Sequence, residues 1–283
     1  MTLTPTLSIL PVQAPVQEGA FDLITTLIAA LKASKVTLQE GDVVAISSKY
    51  VAIGEGRVVN LADVMPSDQA RDLAERYQMN PAIAQLVIDE AEHIFGGIQL
   101  GFLLTWRNGV ISPNAGIDRS NIPNGKAVLL PQDSYGTAHE LRDALQLAYG
   151  VRLGVLLTDS WLVPGRWGTT GVAISCAGFE PLQDERGKAD LFGNPMAVTQ
   201  RGMADSLCVA AQLVMGERDE ATPFAIIRNA PIKLTDRAIT SADVSIPWDM
   251  CLYVESLTVG LLPNGAPTTS ISQTLKLDKR EGV

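Results

Sequence analysis

The sequence predicts an α+β protein with mixed sheets and flanking helices, and three observations predict it. Short apolar runs bounded by Gly, Pro and Asn read as strands, because their length and punctuation suit a buried strand. Longer stretches carry apolar residues at three- and four-residue spacing and read as helices. The two kinds follow one another without a regular βαβ rhythm, which disfavours a purely parallel, doubly wound sheet.

Residues 7–12 read as a short strand, ended near Pro15. Residues 20–35 carry Phe21, Leu23, Ile24, Leu27 and Leu31 at helical spacing. Gly41-Asp42 marks a turn, and residues 43–48 read as a buried strand with Ser47, Ser48 and Lys49 at its exit. One helix is expected after Ser67, and another from Asn80-Pro81, an N-cap followed by proline at the first helical position. Asn108-Gly109 between apolar runs predicts a hairpin, since a tight primed turn needs positive φ at both central residues. Residues 126–130 read as a strand. Thr137 and Glu140 form a capping-box pattern before a helix ending near Gly150. Residues 151–157 read as a buried strand running into Thr158-Asp159-Ser160, and 171–177 as a further strand. Residues 202–215 read as a helix and 224–227 as a last strand. The expected division is one domain over 1–260, built as one or two intertwined subdomains, and a polar tail over 261–283 rich in Pro, Gly, Ser and Thr.

The 283 residues are 46% hydrophobic, ample for a sizeable core, and the formal net charge is -9. No basic block or arm occurs, which argues against a nucleic-acid partner. No apolar run reaches the roughly 20 residues needed to span a bilayer, and no basic stretch precedes an apolar one at the N-terminus. Cys176, Cys208 and Cys251 are widely spaced, which fits a reducing compartment. The expectation is a soluble cytoplasmic protein with no membrane partner.

Only two histidines occur, His93 and His139, both on expected helices, and no nucleophile–base pattern stands out. Neither a GxxxxGK[ST] loop nor a GxGxxG after a strand is present. Two acidic residues lie in irregular segments next to expected strands, Asp118 in Asn114-Ala115-Gly116-Ile117-Asp118-Arg119-Ser120-Asn121 and Asp159 in Thr158-Asp159-Ser160. A carboxylate beside a hydroxyl suits Mg²⁺ or Mn²⁺, which take oxygen ligands and bridge to phosphates. Either residue alone reads equally as a turn or cap residue.

In order along the chain come Asn-Ala-Gly-Ile-Asp-x-Ser-Asn, a strand ending in Thr-Asp-Ser, Asp190-Leu191-Phe192-Gly193 and Val214-Met215-Gly216-Glu217. Gly41-Asp42-Val43 and Glu55-Gly56-Arg57 precede them. Together these resemble the coenzyme F420-0:L-glutamate ligase family, from about residue 11 to residue 228. The resemblance implies an intertwined homodimer that joins L-glutamate to a carboxylate of coenzyme F420-0 through an acyl phosphate. It implies GTP, with ATP as the alternative triphosphate, Mg²⁺ or Mn²⁺, and room for K⁺. By motif match it assigns catalytic roles to Asp118 and Asp159, and metal binding to Asp118, Asp159, Ser160 and Glu217. Ser48, Lys49, Asn121, Gly216 and Glu217 match nucleotide-binding positions, residues 216–222 match a loop that wraps the nucleotide, and Arg166 matches a substrate-binding position.

Two departures from the family pattern bear on substrate. Ile53 stands where a basic residue is common, and Trp161-Leu162-Val163 replaces Asn-Gly-Arg, so a bidentate anion contact is lost. Trp161 and Trp167 could stack on a flat ring or pack locally. The alternatives are therefore a diverged ligase acting on a related pterin- or folate-like carboxylate, and a nucleotide-binding homologue without catalysis.

Overall fold

The computed structural model describes residues 6–247 and 250–259. Two compact units are distinguished, Met1–Asp243 and Val244–Val283. In the second, one helix is described, α7 (Leu252–Val259). The expected tail, 261–283, lies outside the described residues.

The first unit is α+β and is centred on a mixed five-stranded sheet. Its strands are β1 (Ser8–Val12), β2 (Val43–Ser47), β8 (Gly154–Leu162), β9 (Thr169–Ala177) and β12 (Phe224–Arg228). Their order is β1-β12-β2-β8-β9, and only the β2–β8 pairing is parallel. Alternation sends side chains of β2, β8 and β12 to two faces. Val44, Ile46, Val155 and Leu157 meet α1 (Leu23–Ala33) and α5 (Ser134–Tyr149), while Val43, Ala45 and Leu156 face α6 (Met203–Met215). The sheet is thus buried on both sides, which is why β2 and β12 are almost continuous apolar runs. Leu27 and Leu31 of α1 and Leu141 and Leu145 of α5 are buried, each contributing about 1.5–3 kcal/mol on burial.

A smaller lobe packs around Tyr77, Leu86, Val87 and Leu103. It contains α3 (Asp68–Tyr77), α4 (Pro81–Glu90), the two-stranded sheet of β3 (Val58–Asn60) and β7 (Lys126–Val128), and the three-stranded sheet of β4 (His93–Ile98), β5 (Phe102–Arg107) and β6 (Val110–Pro113). Ser67 caps α3, and the Asn80 side chain accepts from the amides of Ala82 and Ile83 at the start of α4. Asn108 and Gly109 both have positive φ and join β5 to β6, as the dipeptide predicts. Strands β10 (Leu182–Asp184) and β11 (Gln200–Gly202) form a small ribbon before α6.

Four local expectations are corrected. The strand from Val43 ends at Ser47, and α2 (Ser48–Gly54) begins there, so Ser48 and Lys49 lie on a helix. The β8 strand continues to Leu162, because β9 pairs with it across a register shift between Leu157 and Thr158. Asp159 therefore sits inside a strand. Helix α5 starts at Ser134, capped by the Asp133 carboxylate on the Gly136 amide, and Thr137 instead donates its hydroxyl to Glu55. His93 begins strand β4, where pairing with Trp106 overrides the helical reading, whereas His139 is on α5.

Candidate active site

A cavity of about 500 Å³ opens where β2, β8 and the segment after β6 meet. Among its lining residues are Lys49, Asp118, Asn121, Asp159, Ser160 and Glu217.

The segment that delivers Asp118 has an unusual backbone. Asn114, Ala115 and Gly116 all have positive φ, which L-residues adopt rarely. The Asn114 side chain offsets that cost, accepting from the Leu103 amide at 2.8 Å and donating to the Gly101 carbonyl at 3.2 Å. Thr105 Oγ1 accepts from the Ala115 amide at 2.8 Å. A Cβ on Gly116 would lie 2.5 Å from Leu130, so glycine is required by both φ and space. Asp118 then pairs with Val128 of β7 through both backbone bonds. The Asn-Ala-Gly part of the motif is thus scaffold, and Asp118 is what it presents.

Both oxygens of Asp118 have protein partners. One carboxylate oxygen accepts from the amides of Arg119 and Ser120, and the other from Ser120 Oγ at 2.8 Å. Lys49 Nζ stands 2.5 Å from that second oxygen and also donates to the Ser120 carbonyl and hydroxyl. Burial pushes the Asp118 carboxyl up, but Lys49 and Ser120 outweigh it and hold the pKa below the ordinary value.

Asp159 behaves oppositely. It accepts from Ser48 Oγ at 2.8 Å and from the Ser160 amide at 2.8 Å. Burial dominates nonetheless and, with the charge of Asp118 adding to it, pushes its pKa up to about 6 against the pull of Ser48, Ser160 and Lys49. Of the two aspartates, Asp118 is therefore compensated by a cation and Asp159 is short of positive charge.

Ser160 Oγ donates to Glu217 at 3.1 Å, and Thr169 Oγ1 donates to the other Glu217 oxygen at 3.4 Å. Gln212 Nε2, from the last turn of α6, donates to the same carboxylate. Glu217 follows Gly216, whose φ of 76° ends α6 and turns the chain into the 216–222 segment along the cavity. Among the described residues, no three His, Cys, Asp or Glu side chains gather into a set that could hold a metal ion. Two carboxylates flanked by Ser48, Ser120 and Ser160, open to a cavity, still fit Mg²⁺ or Mn²⁺. Mg²⁺ commonly takes one or two carboxylates and completes its shell with water and substrate phosphate.

The structure thus brings together Lys49, Asp118, Asn121, Asp159, Ser160, Gly216 and Glu217 around one cavity, with Ser48 joined to it through Asp159. Arg166 does not line it and is exposed in the turn between β8 and β9. In the same region Trp161 is buried in the core and Trp167 is fully exposed, so Trp161 packs. Ile53 is buried but reaches the cavity wall. Sequence reading gave no role to Ser120, Thr169 or Gln212. Gln212 carried one weak signal, a polar side chain on a mostly apolar helix five residues before Glu217.

The chain is similar to known proteins over most of its length. The family model described as F420-0:Gamma-glutamyl ligase matches residues 11–229. Among curated proteins, the Coenzyme F420:L-glutamate ligase of Methanopyrus kandleri is 40% identical over 227 residues, covering 79% of this chain and 87% of that protein. The protein of the same name from Methanothermobacter thermautotrophicus is 37% identical over 220 residues, covering 77% and 86%. That from Natronomonas pharaonis is 37% identical over 208 residues, covering 71% and 79%.

Proposed function

The chain belongs to the F420-0:Gamma-glutamyl ligase family, and on that premise we propose that it joins L-glutamate to a carboxylate of coenzyme F420-0. The reaction would consume GTP and pass through an acyl phosphate. The observation that carries this reading is the convergence of Asp118, Asp159, Ser160 and Glu217 with Lys49 on one cavity, from four separate segments.

A carboxylate is a poor acyl donor at neutral pH. In the first step its oxygen attacks the γ-phosphorus of GTP, an O–P bond forms and GDP leaves. In the second, the glutamate amine attacks the acyl carbon, phosphate leaves, and the amine nitrogen gives up its proton to solvent. Two anions must meet in the first step, in a chain of negative net charge. Lys49 supplies one positive charge at the wall, and Asp118 fixes its position. Mg²⁺ or Mn²⁺, held by Asp118 and Asp159 with Ser160 and Glu217 beside them, would add charge neutralisation and orientation of the γ-phosphate. Ser48 and Ser160 fix the Asp159 carboxylate, and Asn121 and residues 216–222 form walls against which the nucleotide would lie. Arg166, exposed in the turn between β8 and β9, would meet the anionic acceptor, and a homodimer would be the working form. No covalent protein nucleophile is needed.

The test is a mass-spectrometric assay of the purified chain with GTP, Mn²⁺, L-glutamate and coenzyme F420-0. A product heavier by one glutamyl unit is expected. GTP hydrolysis driven by another carboxylate, with no glutamylated F420-0, would sink the reading. A second reading, ligation to a pterin- or folate-like carboxylate, is supported by apolar Ile53 on the wall.

A further inference from the structure

A second cavity, of about 310 Å³, lies apart from the first and shares none of its lining residues. Its walls include Arg107, Gln132, Ser134, Tyr135, Ile174 and Ser241. Arg107 ends strand β5 just before the Asn108-Gly109 turn, and its side chain is only 9% exposed. Its Nη2 pairs with Glu90 at 2.9 Å, but Arg57 claims the same Glu90 oxygen at 2.6 Å. One carboxylate thus serves two guanidinium groups. Among the described residues, the buried Arg107 Nη1 has no hydrogen-bond partner. A buried charged donor left unpaired is costly, so such a group asks for an acceptor.

The second observation is independent. Ser134 and Tyr135 are the first residues of α5, a helix of 16 residues, so its amino end opens on this cavity. Oriented amides there favour negative charge. The nearby carboxylates are already engaged. Asp133 caps the Gly136 amide, Glu55 accepts from the Gln132 amide and Thr137 hydroxyl, and Glu92 accepts from the Asn108 amide.

The position on the sheet links this cavity to the first. Ile174 lies two residues along β9 from Val172, and Val172 pairs with Asp159. Val172, Ile174 and Trp161 share the sheet face that packs on α1 and α5. Two residues of strand span roughly 7 Å, so the wall of the second cavity begins close to Asp159. A cavity of this size suits a small ligand rather than a nucleotide or a deazaflavin.

We propose that this second cavity receives the amino-acid substrate, with Arg107 and the amino end of α5 holding a carboxylate of L-glutamate. Arg107 carries the planar fork that a carboxylate matches, and Tyr135 and Ser241 are among the residues lining the cavity. The inference rests on L-glutamate being the amine substrate.

Two variants of the full chain test it. Arg107→Lys keeps the charge beside Glu90 and loses the fork, and Ser241→Leu fills the cavity from its rim. Arg107→Lys should raise KM for L-glutamate by about tenfold, with KM for GTP unchanged, as expected for loss of a binding contact to one substrate. Ser241→Leu should do the same. Equilibrium dialysis with labelled L-glutamate, with and without GTP and Mn²⁺, should show weaker binding in both. An unchanged KM for L-glutamate in both variants, or an equal rise for GTP, overturns the site. So does dialysis in which the wild type binds L-glutamate and both variants bind it equally well, or in which the wild type binds none. If the wild type binds L-glutamate, the variants do not, and no ligation product forms, the site stands and the ligase reading falls.

Discussion

Ser48 Oγ donates to the Asp159 carboxylate at 2.8 Å, tying the first residue of α2 to the middle of β8 across 111 positions of sequence. This bond fixes Asp159 in the cavity at a point where burial opposes its charge. Asp159→Asn keeps the shape and can still accept from Ser48. It should abolish GTP-dependent ligation while leaving the melting temperature close to that of the wild type. Full activity in that variant removes Asp159 from the catalytic machinery. Ser48→Ala should keep the fold and lower kcat by about tenfold, in line with a hydrogen bond to a charged group worth roughly 1.5–3 kcal/mol, less where solvent screens it.

Lys49 is the cation that compensates Asp118 in the free protein. Lys49→Met should leave Asp118 short of positive charge and remove one contact for triphosphate. Thermal melts with and without GTP and Mn²⁺ measure this. Wild-type stabilisation follows ligand linkage, about 2.7 kcal/mol at a hundredfold excess over Kd. The shift should shrink in Lys49→Met and vanish for both proteins when a chelator removes the metal. An equal shift in both proteins would exclude Lys49 from nucleotide binding.

Gly116 supports the site from behind. It combines a φ of 73° with a Cβ position 2.5 Å from Leu130. Gly116→Ala should cost about 1–3 kcal/mol through left-handed strain and overpacking. Urea unfolding would show a lower midpoint with unchanged slope. Activity should fall more than stability does, because the same turn delivers Asp118. A variant as stable as the wild type would mean that the turn relaxes without penalty.

Much of this was legible in the sequence, for reasons specific to each element. Asn80-Pro81 and Asn108-Gly109 encode their own geometry, so the α4 start and the β5–β6 hairpin follow from local chemistry alone. The carboxylates of the site were legible through ordered motifs. What escaped was set by distant partners. The strand through Asp159 continues because β9 lies alongside it, and no local preference of Thr158-Asp159-Ser160 announces that. The α2 helix starts at Ser48 within a run of Ser, Lys, Tyr and Val that reads equally as strand, and its burial against the sheet decides the outcome. His93 is a strand residue because Trp106 pairs with it. Gln212 and Thr169 meet Glu217 only once α6 and β9 are packed together, so single-sequence reading gave them no role.

Acid stability depends in part on Arg237. Its guanidinium grips Glu180 through Nε and Nη2, the latter at 2.7 Å, and Asp243 through Nη1 at 2.6 Å. It thereby fastens the chain after β12 to the residues that follow β9. The bonds from Arg237 hold the Glu180 carboxyl below its ordinary value of 4.5. Burial pushes Asp243 up, but the Thr240 amide and Arg237 outweigh it, so it too lies below its ordinary 3.8. Both carboxylates therefore bind protons less readily folded than unfolded. Their contribution to stability is complete above the ordinary carboxylate range and is lost as pH falls through the lowered folded values. Urea midpoints measured from pH 7 down to about 3 should drop for the wild type over the lower part of that range. In Arg237→Gln the neutral-pH midpoint should be lower and the acid-side drop shallower, because part of what acid removes is already gone. Curves that run parallel across the whole range would show that Arg237 does not couple folding to these two carboxylates.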